Sequence, residues 1–286
     1  MALRRLPGGA PQALYTTVLR PPPLRAAANA VLRRILPALI ELPEGPLALN
    51  PDDPVVSGAL ALGVYERTVT SCFRRALAPG MTVVDLGANL GYYSVIALGR
   101  TAPDGRLLAF EPDPANHALL VQNLARFGPR AIVRREAVAD GEGTGTLHRH
   151  PDNKGKHSLL ASDELGGGVP VTIVSLDAAL AALAIARVDL VKMDIEGAEP
   201  RALAGMSETL ARDRPLLFIE CAPRRWAGAG HDTVAVLGGL VRRGYALTLI
   251  DEAREAEVAV TPEGVASLGG RDPYVNLIAR PAGRTP

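Results

Sequence analysis

The chain has 286 residues, enough for one or two domains, and an α/β domain of this length can stand as a single unit with a substantial core. Thirty-one basic against 30 acidic side chains leave a formal charge of +1, so the chain as a whole has no field for a polyanion. Its two cysteines, Cys72 and Cys221, exclude a four-cysteine zinc site and a disulfide scaffold and read as small core residues in a reducing compartment.

The first forty residues are rich in Pro, Ala and Arg, and six arginines precede the first acid, Glu41. The start has no unbroken apolar segment and makes a poor signal peptide, and Arg4-Arg5 alone is a weak twin-arginine cue. No uncharged apolar run is long enough to cross a bilayer, so a cytoplasmic enzyme is expected. "LRAAANAVLRRIL", Leu24 to Leu36, reads as a short amphipathic helix with Leu24, Ala28, Val31 and Ile35 on one face, and Pro37 ends it. It is too short to bind a membrane strongly alone, so it is read as packing on the main domain. Residues 1–64 are accordingly taken as an N-terminal helical extension and 65–286 as the main domain.

A second helix carries Tyr65, Val69, Cys72, Phe73 and Leu77 at helical spacing and stops at Pro79-Gly80. Strand and helix patterns then alternate. "TVVDL" is a strand, "GYYSVIALGR" a helix and "RLLAFE" the next strand. Asp113-Pro114 starts a helix with an N-cap acid and a proline at its first turn. "AIVRREAV" reads as a third strand. Gly141 to Ser175 reads as two β segments around a polar, Gly-rich loop, and loops this long within compact domains are often functional. "VDLVKMD" and "RPLLFIE" are two more strands, with a helix from about Ala198 to Arg212 between them. A helix near Thr233 to Arg243, "YALTLI" and "YVNLIAR" complete the pattern. Strands separated by helices imply a mostly parallel, doubly wound sheet.

In such sheets ligands sit at the carboxyl ends of the strands, where Asp85 falls. The stretch from Gly87 to Tyr92 fails the dinucleotide fingerprint, because Asn89 and Tyr92 stand where it needs glycines. No G-K-[ST] follows, which excludes a phosphate-binding P-loop. An acid before the turn suits a cationic ligand. S-adenosylmethionine carries an ammonium and a sulfonium and no phosphate, and Gly87 and Gly91 let backbone approach it closely. Glu111, ending the second strand, can accept both hydroxyls of a ribose.

"PGMTVVDLGANLGYYSVIAL", "GRLLAFEPDPANHALLVQNL", "VSLDAAL", "VDLVKMDIEGAEPRALAGM" and "RPLLFIECAP" resemble successive blocks of the FkbM-type methyltransferases, over roughly Tyr65 to Tyr245. "DNKGKHSL" is similar to that family's N-x-G-x-x-S-L stretch through Asn153, Gly155, Ser158 and Leu159. The resemblance implies a Rossmann-like sheet of the class I methyltransferase type. It implies S-adenosylmethionine as cofactor and methylation of an oxygen on a natural product, sugar or glycolipid. It puts Asp85, Gly87, Asn89 and Gly91 around the methionine part, Glu111 on the ribose, and Asp113 and Val138 near the adenine.

A hydroxyl acceptor benefits from a base that takes its proton. Lys192, Asp194 and Glu196 alternate and would share one face if the fourth strand continued. Asp194 is the expected base or acceptor-orienting group. Lys192 would pair with it or stabilise a deprotonated acceptor, and Glu196 would bind substrate or the cofactor ammonium. Glu199 is read as support for the next helix's first turn. Glu220 on the neighbouring strand is a further candidate, and Asn153 and His157 in the long loop would reach over the site. No dense run of carboxylates supports Mg²⁺, so no metal is expected.

The sequence thus points to an S-adenosylmethionine-dependent O-methyltransferase of a small-molecule hydroxyl. The alternatives are an N-methyltransferase and a cofactor-binding protein without catalysis. No basic stripe with interleaved aromatics supports nucleic acid as partner. A homo-oligomer stays open.

Overall fold

The computed structural model describes residues 34–150, 153–161, 166–269 and 274–283. Residues 24–33 of the expected first helix lie outside them. The described part of the extension holds a hairpin, β1 (Leu39–Leu42) with β2 (Gly45–Ala48), and a short helix, α1 (Val56–Ala61). The hairpin has no counterpart in the sequence reading. Both pieces belong to the main core: Leu47, Val56 and Leu60 are buried in one cluster with Val69, Phe73 and Val83. Arg74 clamps Glu44 with two nitrogens at 2.8 and 2.9 Å, and the Asn123 amide pairs with both backbone groups of Ala48.

The remaining elements follow as α2 (Arg67–Ala76), β3 (Thr82–Leu86), α3 (Tyr92–Arg100), β4 (Arg106–Phe110), α4 (Pro114–Leu124), β5 (Ala131–Arg134), β6 (Glu136–Val138), β7 (Gly143–His148), β8 (Gly168–Val174), α5 (Leu176–Ala182), β9 (Leu190–Met193), α6 (Glu199–Ala204), α7 (Ser207–Arg212), β10 (Leu216–Cys221), α8 (Pro223–Gly228), α9 (Thr233–Arg242), β11 (Tyr245–Asp251), β12 (Ala256–Ala259), α10 (Pro262–Leu268) and β13 (Val275–Pro281). Among the described residues the main sheet has eight strands in the order β12-β11-β13-β10-β9-β3-β4-β5. The run from β10 to β5 is parallel, and β13 enters antiparallel between β10 and β11. This is the expected Rossmann-like, doubly wound architecture.

Both faces of the sheet are covered, so its strands are apolar at consecutive positions. Val84, Leu86, Leu108 and Phe110 point into one core with Trp226, while Val83, Leu107 and Ala109 point into the other with Phe73.

Two expected elements are divided. "AIVRREAV" is two strands. β5 pairs with β4 only as far as Phe110 opposite Arg134, where β4 ends. The chain then leaves the main sheet, and β6 joins the two β segments of residues 141–175 in a small sheet ordered β6-β8-β7. The helix expected from Ala198 to Arg212 is broken into α6 and α7. Gly205 lies so close to the Ala139 carbonyl that a Cβ there would stand 2.0 Å from its oxygen. The new helix then takes its first turn from Asp177, whose carboxylate accepts from Glu208 N and Thr209 N.

Candidate active site

Strand order reverses between β3 and β9, the point at which open α/β sheets bind ligands. The turn after β3 is built for close approach. Gly87 N and Ala88 N donate to the Phe110 carbonyl at 3.0 and 2.9 Å, and Asp194 N donates to the Leu86 carbonyl at 3.0 Å. The carboxyl ends of three strands are therefore tied together. Gly87 has φ 80°, and a Cβ there would stand 2.0 Å from the Asp194 carbonyl oxygen. Asn89 and Gly91 also have positive φ, 50° and 95°. Asparagine tolerates that region better than most residues, which explains an Asn where the dinucleotide fingerprint has Gly.

Asp85 lies beneath this turn and is 1% exposed. Its Oδ2 accepts from Ser94 Oγ at 2.6 Å, fastening α3, while Oδ1 is buried with no hydrogen-bond partner among the described residues. Burial pushes its carboxyl up, and Lys192 opposes the shift. Glu111 accepts from Asn89 N at 2.8 Å on one oxygen and from Asp113 N at 2.9 Å on the other. Each oxygen keeps a second lone pair for a ligand hydroxyl. Burial pushes this carboxyl up to about 8 against those backbone bonds.

Asp113 and Val138, the adenine contacts that the resemblance implies, both have roles in the fold. Asp113 caps α4 through Oδ1, which accepts from Ala115 N and Asn116 N, and its Oδ2 holds Arg149 at 2.6 Å. Burial raises its carboxyl, but the Asn116 N–H and Arg149 outweigh that and hold it low. Val138 is buried in the core against Leu176 and Val191.

The acids on the acceptor side form one cluster. Lys192 Nζ donates to Asp194 Oδ2 at 3.1 Å and sits 4.4 Å from the centre of the Tyr93 ring. Glu220 follows on β10 and is buried, with Oε1 unpartnered among the described residues. Glu66 completes the group: an oxygen from each of Glu66, Asp194 and Glu220 lies within 4.8 Å of the others. Burial pushes Glu66 up to about 7, with Lys192 opposing. Burial and then the charge on Asp194 push Glu220 well up. The expectation of no metal rested on the lack of a dense run of carboxylates, yet acids from three separate elements meet here.

Glu66 is missing from the sequence reading. It precedes α2 in a left-handed conformation, φ 37°, and accepts from Tyr93 Oη at 2.6 Å. It does not cap its own helix. Glu252 does so, accepting from Thr68 N and Val69 N, which leaves Glu66 free to face the strand ends. The only local signal is an acid immediately before a helix, and that signal means a cap far more often than a site.

Glu196 is a correction. β9 ends at Met193, so the alternation that would align Glu196 with Lys192 and Asp194 stops. Glu196 has φ 54° and ion-pairs with Arg225. Glu199, expected to support the first turn of the next helix, instead ties the turn before it to Trp226. Its carboxylate accepts from Ile195 N, Gly197 N and the Trp226 indole N–H, fixing the turn between β9 and α6.

The 153–160 segment crosses the strand ends. Lys154 accepts from the Asn116 amide through its carbonyl, and Ser158 Oγ donates to the Glu196 carbonyl at 2.8 Å. Asn153 spends its side-chain oxygen on Gly155 N at 3.0 Å. His157 is buried: Nδ1 accepts from His150 N at 3.1 Å, and Nε2 lies 3.8 Å from Asp113 Oδ2. The accepting Nδ1 puts the proton on Nε2. Burial lowers its pKa to about 4, although Asp113 pulls it up. A neutral imidazole bonded to His150 N and facing Asp113 is expected to position its segment and not to act as a base. His157→Asn, which retains an acceptor for His150 N, should change turnover by less than about tenfold, below the usual contribution of a general base. NMR titration of native protein should find His157 neutral from pH 8 down to about 4. The folded pKa lies below the ordinary 6.5, so the fold loses stability as pH falls from 6.5 towards 4. A hundredfold loss in a folded variant would instead make His157 a base.

Comparison with known proteins adds independent findings. The chain matches the family described as "Methyltransferase FkbM domain" over residues 85–247. It is 29% identical over 232 residues to the 31-O-demethyl-FK506 methyltransferase FkbM of Streptomyces tacrolimicus, covering 69% of this chain and 85% of that protein. It is 28% identical over 153 residues to the 2-O-methyltransferase NoeI of Sinorhizobium fredii, covering 48% of this chain and 61% of NoeI. The crystal structure of methyltransferase FkbM from Methylobacillus flagellatus superposes with a TM-score of 0.45 at 18% identity, over 93% of this chain and 60% of that one.

Proposed function

The chain belongs to the FkbM methyltransferase family, and we propose that it transfers a methyl group from S-adenosylmethionine to a hydroxyl of a small molecule, sugar or natural product. The observation that carries this reading is the contact of Gly87 with the Asp194 backbone, which sets the cofactor turn directly against the acceptor-side acids. Both relatives described above act, by their names, at an oxygen.

The residues present fit the cofactor. Glu111 keeps lone pairs for a ribose diol, the buried Asp85 Oδ1 lacks a partner among the described residues, and Gly87 and Gly91 carry no side chain at the two ends of the turn. When bound, S-adenosylmethionine supplies an activated methyl on a sulfonium. The chain aligns the acceptor oxygen and excludes water. Lys192 holds Asp194 Oδ2, which leaves Oδ1 to take the proton of the acceptor hydroxyl.

Calorimetry should show binding of S-adenosylhomocysteine and none of NAD or NADP. In Glu111→Ala the affinity should fall about tenfold to a hundredfold, the equivalent of one charge-assisted hydrogen bond of about 1.5–3 kcal/mol. Ribose hydroxyls donate best to an ionised carboxylate. Native affinity should therefore rise as pH climbs towards about 8, and that rise should vanish in the variant. Tight NAD binding, or unchanged affinity in a folded Glu111→Ala protein, refutes the assignment.

A further inference from the structure

The cluster brings three carboxyl groups together beside one lysine. Glu66 comes from the start of α2, Asp194 from the end of β9 and Glu220 from β10, and one oxygen of each lies within 4.8 Å of the other two. Lys192 is committed to Asp194 at 3.1 Å. Oxygens bound to one ion can be no farther apart than twice the bond length, which is about 4.2 Å for Mg²⁺ and about 4.6–5.2 Å for Ca²⁺. A spread of no more than 4.8 Å meets the Ca²⁺ limit directly, and the Mg²⁺ limit if the three side chains draw in by about 0.6 Å.

A second observation points to a ligand. Glu220 is 6% exposed, and its Oε1 is buried without a hydrogen-bond partner among the described residues. A buried carboxylate oxygen without a partner loses its hydration and gains nothing in return. A cavity of about 10 Å³ lies beside Glu220, lined by Lys192, Glu220 and Asn276 together with apolar side chains of β9, β10 and β13, and Asn276 faces Glu220 in register across β10 and β13. That is close to the space of one water, on the Lys192 and Asn276 side of Glu220.

We propose that Glu66, Asp194 and Glu220 bind one hard divalent cation of the Mg²⁺, Mn²⁺ or Ca²⁺ class. An all-oxygen set with no imidazole or thiolate selects that class over zinc or copper. The proposal deepens the methyl-transfer reading, because the ion would lie where the acceptor hydroxyl approaches Asp194. There it would orient that oxygen and make its proton easier to remove.

The test uses the full chain, dialysed against a chelator and titrated with Mn²⁺, with the free Mn²⁺ signal followed by electron paramagnetic resonance. The expected result is one Mn²⁺ per chain, displaced by excess Mg²⁺ or Ca²⁺. In Glu220→Gln, binding should weaken more than about tenfold, at least the loss seen when even an outer-shell partner of a metal is removed. Glu66→Gln should weaken it likewise. Circular dichroism confirms that each variant is folded. A rise in melting temperature with Mg²⁺, present in native protein and lost in both variants, is the second measurement. A free Mn²⁺ signal unchanged by native protein overturns the proposal, and so does native-like Mn²⁺ affinity in both folded variants. The two readings fail separately. S-adenosylhomocysteine binding without Mn²⁺ binding removes the ion and leaves methyl transfer standing. Mn²⁺ binding without S-adenosylhomocysteine binding does the reverse.

Discussion

Asp194→Asn is expected to lower methyl transfer by about 10²–10⁴-fold, the usual contribution of a general base. The substitution keeps the side chain's shape and its place beside Lys192, 3.1 Å from Oδ2 in the native protein. It removes the oxygen that takes the acceptor's proton. S-adenosylhomocysteine affinity should change far less, because Glu111 and the Gly87–Gly91 turn are the proposed cofactor contacts. Turnover is followed as S-adenosylhomocysteine release with hydroxylated sugars, polyketides and amines as acceptors. Recovery of rate at high Mn²⁺ would assign the loss to the ion and not to the base. Lost cofactor affinity would make Asp194 a ligand of the methionine part. Near-native turnover would leave Glu220 as base, or proximity alone.

Gly87→Ala should abolish cofactor binding, with affinity down more than about a hundredfold, the scale on which a 1 Å misplacement acts. The backbone has φ 80°, and the added Cβ would stand 2.0 Å from the Asp194 carbonyl oxygen and 3.0 Å from its carbon. Neither side can yield cheaply. Gly87 N and Ala88 N are bonded to Phe110, and Asp194 N is bonded to Leu86. The turn and the end of β9 must separate, which displaces the cofactor contacts and the base together. The fold should lose about 1–3 kcal/mol from overpacking, besides the cost of a left-handed alanine. Calorimetry reads the first effect and thermal denaturation the second. Gly141→Ala is the control: a Cβ there meets nothing within 4 Å, so both properties should stay native. Native affinity in Gly87→Ala would mean that the cofactor does not use this turn.

The sheet and its first turn were legible because they are local. Apolar runs ending in acids gave β3, β4, β9 and β10, and the glycines after Asp85 marked the turn whose positive φ angles the structure contains. What escaped depends on contacts made far along the chain. The break in the 131–138 strand follows from where β4 ends, and the break at Gly205 from a carbonyl at Ala139. Glu66 reaches Asp194 and Glu220 only because Glu252, from another part of the chain, caps the helix in its place. Glu196 was misread because alternation was extended past Met193 into a turn held by Glu199. Asp113 was read correctly as a helix cap, and that role, with Arg149, already occupies both its oxygens.

Trp226 is the chain's only tryptophan. It is fully buried, and its indole N–H donates to Glu199 Oε2 at 2.9 Å. The same carboxylate grips Ile195 N and Gly197 N, in the turn just after Asp194. Excitation at the red edge of indole absorption therefore interrogates one place, two hydrogen bonds and a peptide link from Asp194. No dye or engineered label is needed. Any occupant that shifts the turn, or any proton that reaches Glu199, alters the emission of one fluorophore, and stopped-flow mixing can follow that event in time.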